Sequence, residues 1–188
     1  MADTASLAPT LPRRFTWDEV IAMSRAGLFG ESERVELVGG EIFVMPEEGP
    51  LHVLALQIVQ RWLIRALPAT LELAVRAPLH LPDGTVFVPD LAVYDAGFAP
   101  ADMVAANARL VIEISDTTLN RDQRRKAPKY AEAGVAELWI VDAPARKITA
   151  CIGGGATGWA SNTPHAAGAL APRCAPAATF ALDDLPRG

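Results

Sequence analysis

Between Pro89 and Asp142 the sequence carries carboxylates where apolar strands have little use for them. Asp90 opens the run Leu91-Ala92-Val93-Tyr94, and Glu113 stands inside LVIEIS, residues 110–115. A basic segment follows with Arg121, Arg124, Arg125, Lys126 and Lys129, and then a third apolar run, Leu138-Trp139-Ile140-Val141. Desolvating an unpaired carboxylate costs several kcal/mol or forces it to take up a proton. Two acids at the mouths of neighbouring strands, with a lysine downstream, therefore suggest a divalent cation site. A hard cation such as Mg²⁺ usually takes one or two protein carboxylates and completes its octahedron with waters and substrate phosphate. Asp90, Glu113 and the backbone carbonyl of Ile114 would supply the protein's share. Lys126 would hold or help deprotonate the attacking water, while the metal stabilises charge on the phosphoryl oxygens. That chemistry is phosphodiester hydrolysis.

Each of these residues also has a plainer reading. Asp90 follows Pro89 and suits a solvated position at the start of a strand. Glu113 is either paired, exposed on a sheet edge, or a ligand. A basic run is usually a solvated helix face, which would make Lys126 one of five interchangeable cations. Glu36 reads as a surface residue or a partner for Arg34, and His52, just inside a helix start, as an exposed polar residue. Neither His80 nor His165 forms a metal-spaced pair with His52, and there is no GxSxG, P-loop or dinucleotide fingerprint.

The 188 residues are 51% hydrophobic, enough for one domain with a substantial core. The net charge of -5 argues against nonspecific coating of nucleic acid, whose footprint is usually basic. Cys151 and Cys174 have neither zinc-site spacing nor the density of a disulfide scaffold, and read as ordinary thiols of a reducing cytoplasm. The first twenty residues contain no apolar stretch of secretory type.

The elements that must position these groups follow from local signals. Residues 1–14 form a flexible arm. Thr16 with Glu19 makes a capping box for a helix to about Ala26, stopped by Gly27. Val35 to Val44 alternate around Gly39-Gly40 as a hairpin that puts Glu36 opposite Val35 and Leu37. From Leu51 the residues Leu54, Ala55, Ile58, Trp62 and Ala66 recur at helical steps until Pro68, predicting a helix that lies on a sheet. Strands at about Leu71–Leu79 and Thr85–Tyr94 are expected to pair across Pro82-Asp83-Gly84. A short helical stretch near 99–106 leads into a strand from Arg109 to Ile114. Pro128 interrupts a helix expected over about 120–133, implying a kink near Arg124 or a restart with Pro128 in the first turn. Strands at Glu137–Val141 and Arg146–Cys151 form the next hairpin. Weak strands at Gly158–Ser161 and Thr179–Leu182 are assigned to the sheet edge, with 151–188 peripheral to a domain covering 15–188.

Taken together, RVELVGGEI, the helix opening at Gly49-Pro50-Leu51-His52, VPDLAVYD, VIEIS and DQRRKAPKYAEAGVAELWIVD resemble the PD-(D/E)XK nuclease superfamily. Within it they resemble the Uma-two-type family of bacterial restriction endonucleases. The resemblance spans about Phe15 to Asp142, and the order and spacing of the pieces carry it, especially YAEAGVAELWIVD. It implies that Asp90 and Glu113 are metal-binding acids and that Lys126 is the active-site lysine, moved to the helix because Ser115 stands at the usual E-x-K position. Glu36 matches an acid of the first hairpin that assists the metal site, and His52 a histidine with no role assigned. Two departures stand out. Gly39 replaces a common Asp, and Pro128 replaces an ordinary helix former, which makes Lys129 the alternative to Lys126.

The reading is an α/β, restriction-endonuclease-like domain with a mixed central sheet flanked by helices, an N-terminal helix and a β-hairpin. Its expected function is Mg²⁺- or Mn²⁺-dependent cleavage of DNA, as a cytoplasmic homodimer with no membrane contact. The alternative is a noncatalytic nuclease-like fold that binds nucleic acid or a protein partner. Another phosphodiester remains open as substrate.

Overall fold

The computed structural model describes residues 11–31, 33–116 and 125–187, apart from the side chain of residue 102. Helix α1 (Trp17–Arg25) begins at the capping box: the Thr16 side chain accepts from the Glu19 N–H, and Glu19 accepts from the Thr16 N–H. Gly27, at φ +72°, follows its end. Strands β1 (Val35–Val38) and β2 (Glu41–Val44) form the hairpin, with Gly39 and Gly40 both at positive φ. That is the geometry a tight two-residue hairpin turn demands, so the glycine at 39 suits the turn. Residues 14 and 15 are fastened to it: Arg14 donates to the Gly39 carbonyl, and the Phe15 N–H donates to Gly40 O.

Helix α2 (Pro50–Ala66) carries proline in its first turn and ends before Pro68. The expected hairpin after it is instead two pairs of strands in two sheets. Strands β3 (Leu71–Val75) and β6 (Leu91–Asp95) pair in the large sheet, whereas β4 (Leu79–His80) and β5 (Val86–Phe87) pair in a smaller one. Two breaks account for the split. Arg76 turns to φ +51° just ahead of Pro78, and Pro89 has no N–H to offer a ladder. The small sheet runs β2-β1-β5-β4, so the hairpin carrying Glu36 is joined to the segment leading to Asp90.

Two 3-10 turns, Pro100–Asp102 and Ala105–Asn107, lead into β7 (Ala108–Ser115). Helix α3 (Ala127–Glu132) has Pro128 in its first turn, where no intrahelical N–H is needed. The residues 120–124 expected to begin it lie outside those described, as do Arg121 and Arg124. Next come β8 (Glu137–Asp142), β9 (Lys147–Gly155) and β10 (Gly158–His165). The large sheet runs β10-β9-β8-β7-β6-β3, with β7 and β8 parallel and its other pairs antiparallel. β10 lies on the sheet edge, as its composition suggested. The segment near 180 does not: among the described residues, β12 (Phe180–Ala181) pairs only with β11 (Ala169–Leu170) in a separate ribbon.

Alternation along β7 sorts the core into two layers. Leu110, Ile112 and Ile114 pack with Ala55, Val59 and Leu63 of α2, while Val111 packs with Ala127 and Tyr130 of α3 on the other face. Helices thus cover both faces of the mixed sheet. Glu113 shares the face of Val111 because side chains alternate with period two. Among the described residues no helix is long and apolar enough to cross a membrane.

Candidate active site

Asp90, Glu113, Ile114 and Lys126 line one narrow cleft, together with His52, Glu48 and Asp116. Each arrives on a different part of the fold. Asp90 sits at the bend ahead of β6, Glu113 near the C-terminal end of β7, His52 in the first turn of α2, and Lys126 at the N-cap of α3. All four are buried.

Two groups of contacts divide the cleft. In the first, Lys126, only 2% exposed, lies between two carboxylates: its Nζ is 2.8 Å from Glu36 Oε1 and 3.0 and 3.1 Å from the two oxygens of Glu113. The Tyr130 hydroxyl donates to Glu113 Oε1 at 2.7 Å. Tyr130 is four residues beyond Lys126 and so returns to the same side of the helix. Glu36 also accepts the Val88 N–H at 3.1 Å, which ties the first hairpin to the chain two residues before Asp90. The surface role or Arg34 partnership read for Glu36 is therefore incorrect: it is buried, and its cationic partner is Lys126.

In the second group, Asp90 Oδ2 accepts the Ile114 N–H at 2.8 Å and stands 3.1 Å from His52 Nε2. On the other side of the imidazole, Nδ1 is 3.3 Å from Glu48 Oε2 without hydrogen-bonding geometry. His52 is thus a buried residue between two acids, not the exposed polar group its helix-start position suggested. Burial opposes its protonation, but the hydrogen bond and charge of Asp90, with Glu48 and Asp116 beyond, outweigh it and raise the pKa. Burial likewise pushes Asp90 up, yet the His52 and Ile114 contacts and the charge of Lys126 hold it below the ordinary aspartate value.

Donor atoms of Glu48, His52 and Asp90 lie within 4.8 Å of one another. Carboxylate and imidazole donors so close, one of them a buried imidazole nitrogen lacking a hydrogen bond, fit a divalent cation. Glu113 is outside this trio, and its oxygens face Lys126 and Tyr130. Sequence reasoning missed Glu48 and Tyr130. The available signals were the four-residue spacings Glu48 to His52 and Lys126 to Tyr130. Gly49 is required by close approach: a Cβ there would fall 2.0 Å from Asp116 Oδ2, which rests against the start of α2.

The sequence matches the family model described as "Putative restriction endonuclease", Uma2, over residues 17–181. The chain belongs to the Uma2 family. Among solved structures it is similar to a protein described as a putative nuclease belonging to DUF820 from Anabaena variabilis ATCC 29413. That likeness has a TM-score of 0.71 at 14% identity, over 91% of this chain and 97% of the other, and concerns the fold. No curated protein matches the sequence.

In this Uma2 chain the basic segment is not a set of interchangeable cations. Lys126 points into the cleft, Lys129 pairs with Asp83 at 2.5 Å by the β4–β5 turn, and the Arg125 guanidinium lies 3.6 Å over the Phe43 ring. Pro128 is the second residue of the helix, which begins at Ala127 directly after Lys126.

Proposed function

We propose that this Uma2 protein is a metal-dependent endonuclease that hydrolyses DNA phosphodiester bonds, requiring Mg²⁺ or Mn²⁺. The observation that carries the reading is the convergence of Asp90, Glu113 and Lys126, from three separate elements, in one acid-lined cleft beside the Glu48–His52–Asp90 donors. Asp90 is the central ligand, with the Ile114 carbonyl and Glu113 as the further candidates of the family pattern and His52 and Glu48 as those of the geometry. When bound, the cation supplies a water of lowered pKa and charge stabilisation on the phosphoryl oxygens. Lys126, held as an ammonium between Glu36 and Glu113, donates a hydrogen bond to the attacking water or to a phosphoryl oxygen. Glu36 and Tyr130 are positioning residues: one holds the Lys126 amine, the other the Glu113 carboxylate. Two strands need two cuts, so a homodimer acting in the cytoplasm completes the proposal.

The test is cleavage of supercoiled and single-stranded DNA with Mn²⁺, with Mg²⁺ and with chelator, comparing wild type with Glu113→Gln. Cutting that needs metal and is lost in the variant supports the reading. Equal cutting by both proteins would assign the activity to a contaminant. No cutting of either substrate would favour a nuclease-like fold that binds without hydrolysing.

A further inference from the structure

We infer that Arg34 and Arg76 form a phosphate clamp at the mouth of the cleft, gripping backbone phosphates on either side of the cleaved bond, with Glu48 holding both side chains until a strand enters. The inference rests on the nuclease reading above and names how that site would take its polyanionic substrate. The need for such a clamp follows from charge. The chain carries -5 overall, and Glu47, Glu48, Asp90, Glu113 and Asp116 all line the cleft. Lys126 is buried between two carboxylates and contributes little to a field outside. A phosphate backbone therefore meets a repulsive opening unless cations stand at its rim.

Arg34 lines the cleft, and Arg76 reaches its edge through Glu48. Their side chains are 30% and 37% exposed, and both converge on Glu48: Arg34 Nη2 lies 2.7 Å from Oε1, and Arg76 pairs with Oε2. Two guanidiniums on one carboxylate leave a net positive charge. Each guanidinium has five donors in a planar fork that matches phosphate oxygens, and one carboxylate oxygen uses only part of it. Glu48 thus holds both guanidiniums near the rim by charge, where phosphate oxygens could take them over. The backbone at Arg76 points the same way. Its φ of +51° is uncommon for any residue but glycine, asparagine or aspartate, so the backbone is strained there. The Arg76 N–H donates to the Asp90 carbonyl at 3.1 Å, so the turn that aims this side chain is built onto the segment carrying the central acid of the site.

The test is binding of a short fluorescein-labelled duplex, and of one of its strands, by fluorescence anisotropy in chelator across a salt series. Proteins compared are wild type, Arg34→Ala, Arg76→Ala, the double variant, the two Lys replacements and Glu48→Gln, with thermal unfolding measured alongside. Each alanine should weaken binding and lower the slope of log Kd against log salt by about one, and the double variant by about two. Each lysine should restore the slope. Glu48→Gln should tighten binding, because its amide oxygen still accepts from a guanidinium while the competing negative charge is gone. If wild type binds and the alanine variants keep its affinity and slope, the clamp is wrong and the nuclease reading stands. Slopes that fall with alanine and stay low with lysine would make the arginines structural and also overturn the clamp. If wild type neither binds nor cuts DNA, the nuclease reading falls and the clamp with it.

Discussion

Two glutamates on adjacent parallel strands are almost equally buried, Glu113 at 3% exposure and Glu137 at 1%, yet they answer the cost of burial differently. Glu113, near the end of β7, is met by an ammonium and a phenol, in contact with a cleft that also gathers Asp90 and His52. Glu137, at the start of β8, is met by two neutral donors, each at 2.7 Å: the Trp139 indole on Oε1 and the Arg173 N–H on Oε2. The Arg173 bond staples the C-terminal segment to the sheet. Burial, the largest influence, leaves Glu137 with a pKa above the ordinary glutamate value despite both bonds. Burial alone therefore says little about chemistry. What separates the Glu113 cluster from the Glu137 staple is that one of its partners is a charged amine and that it opens onto a cleft.

The sharpest break in this comparison is Lys126→Met. It leaves Glu36 and Glu113 buried without their cation, a loss of about 3–5 kcal/mol in urea unfolding, and it should abolish cleavage. Next comes Glu113→Gln against Glu137→Gln. The first should lower the rate of metal-dependent nicking by about 10²–10³, and the second should leave it near wild type. A comparable loss of nicking in both variants would erase the distinction. Glu137→Gln should instead cost about 1–3 kcal/mol of stability, because one amide oxygen cannot satisfy both the indole and the Arg173 N–H.

That stability difference should depend on pH with a definite sign. A carboxyl whose folded pKa is raised binds its proton more tightly in the folded state, so its contribution to stability falls as pH rises. The fall begins at the unfolded value near 4.5 and ends at the raised folded value. The gap between wild type and Glu137→Gln should therefore be widest in acid and narrow toward neutrality. A gap that widens toward neutral pH would reverse the assignment.

The smallest effect is at Cys174, whose thiol is pushed up to about 11 by burial and then by the charge of Glu137. Removing that charge in Glu137→Gln should speed alkylation of Cys174 in the folded protein, whereas Glu113→Gln should not. Cys151, raised to about 11 by burial alone, serves as the internal control.

Much of the fold was legible because its signals are local. The Thr16 capping box, the Gly39-Gly40 turn and the helical spacing of residues 51–66 each act within a few residues, and each formed as read. The failures were positions where a run of good strand residues hid a change of sheet. Leu71–Leu79 and Thr85–Tyr94 look continuous by composition, but Arg76 and Pro89 divide them. The candidate site was legible as a set of residues and not as a set of contacts. Asp90, Glu113 and Lys126 could be named from type and spacing, whereas nothing in the sequence said that His52 would be buried against Asp90 or that Glu36 would reach Lys126.

Backbone preference and side-chain solvation are properties of short stretches, so most helices, turns and strands, and the acids that interrupt the apolar runs, could be read from the chain alone. Tertiary packing sets Lys126 and not Lys129 in the cleft. It alone decided that Glu48 completes a donor group with His52 and Asp90, and that Glu137 is a staple. The paired residues are 38 apart for His52 and Asp90, 52 for Glu36 and Val88, and 36 for Glu137 and Arg173. Contacts at such separations depend on how sheets and helices pack, and packing is a property of the whole chain.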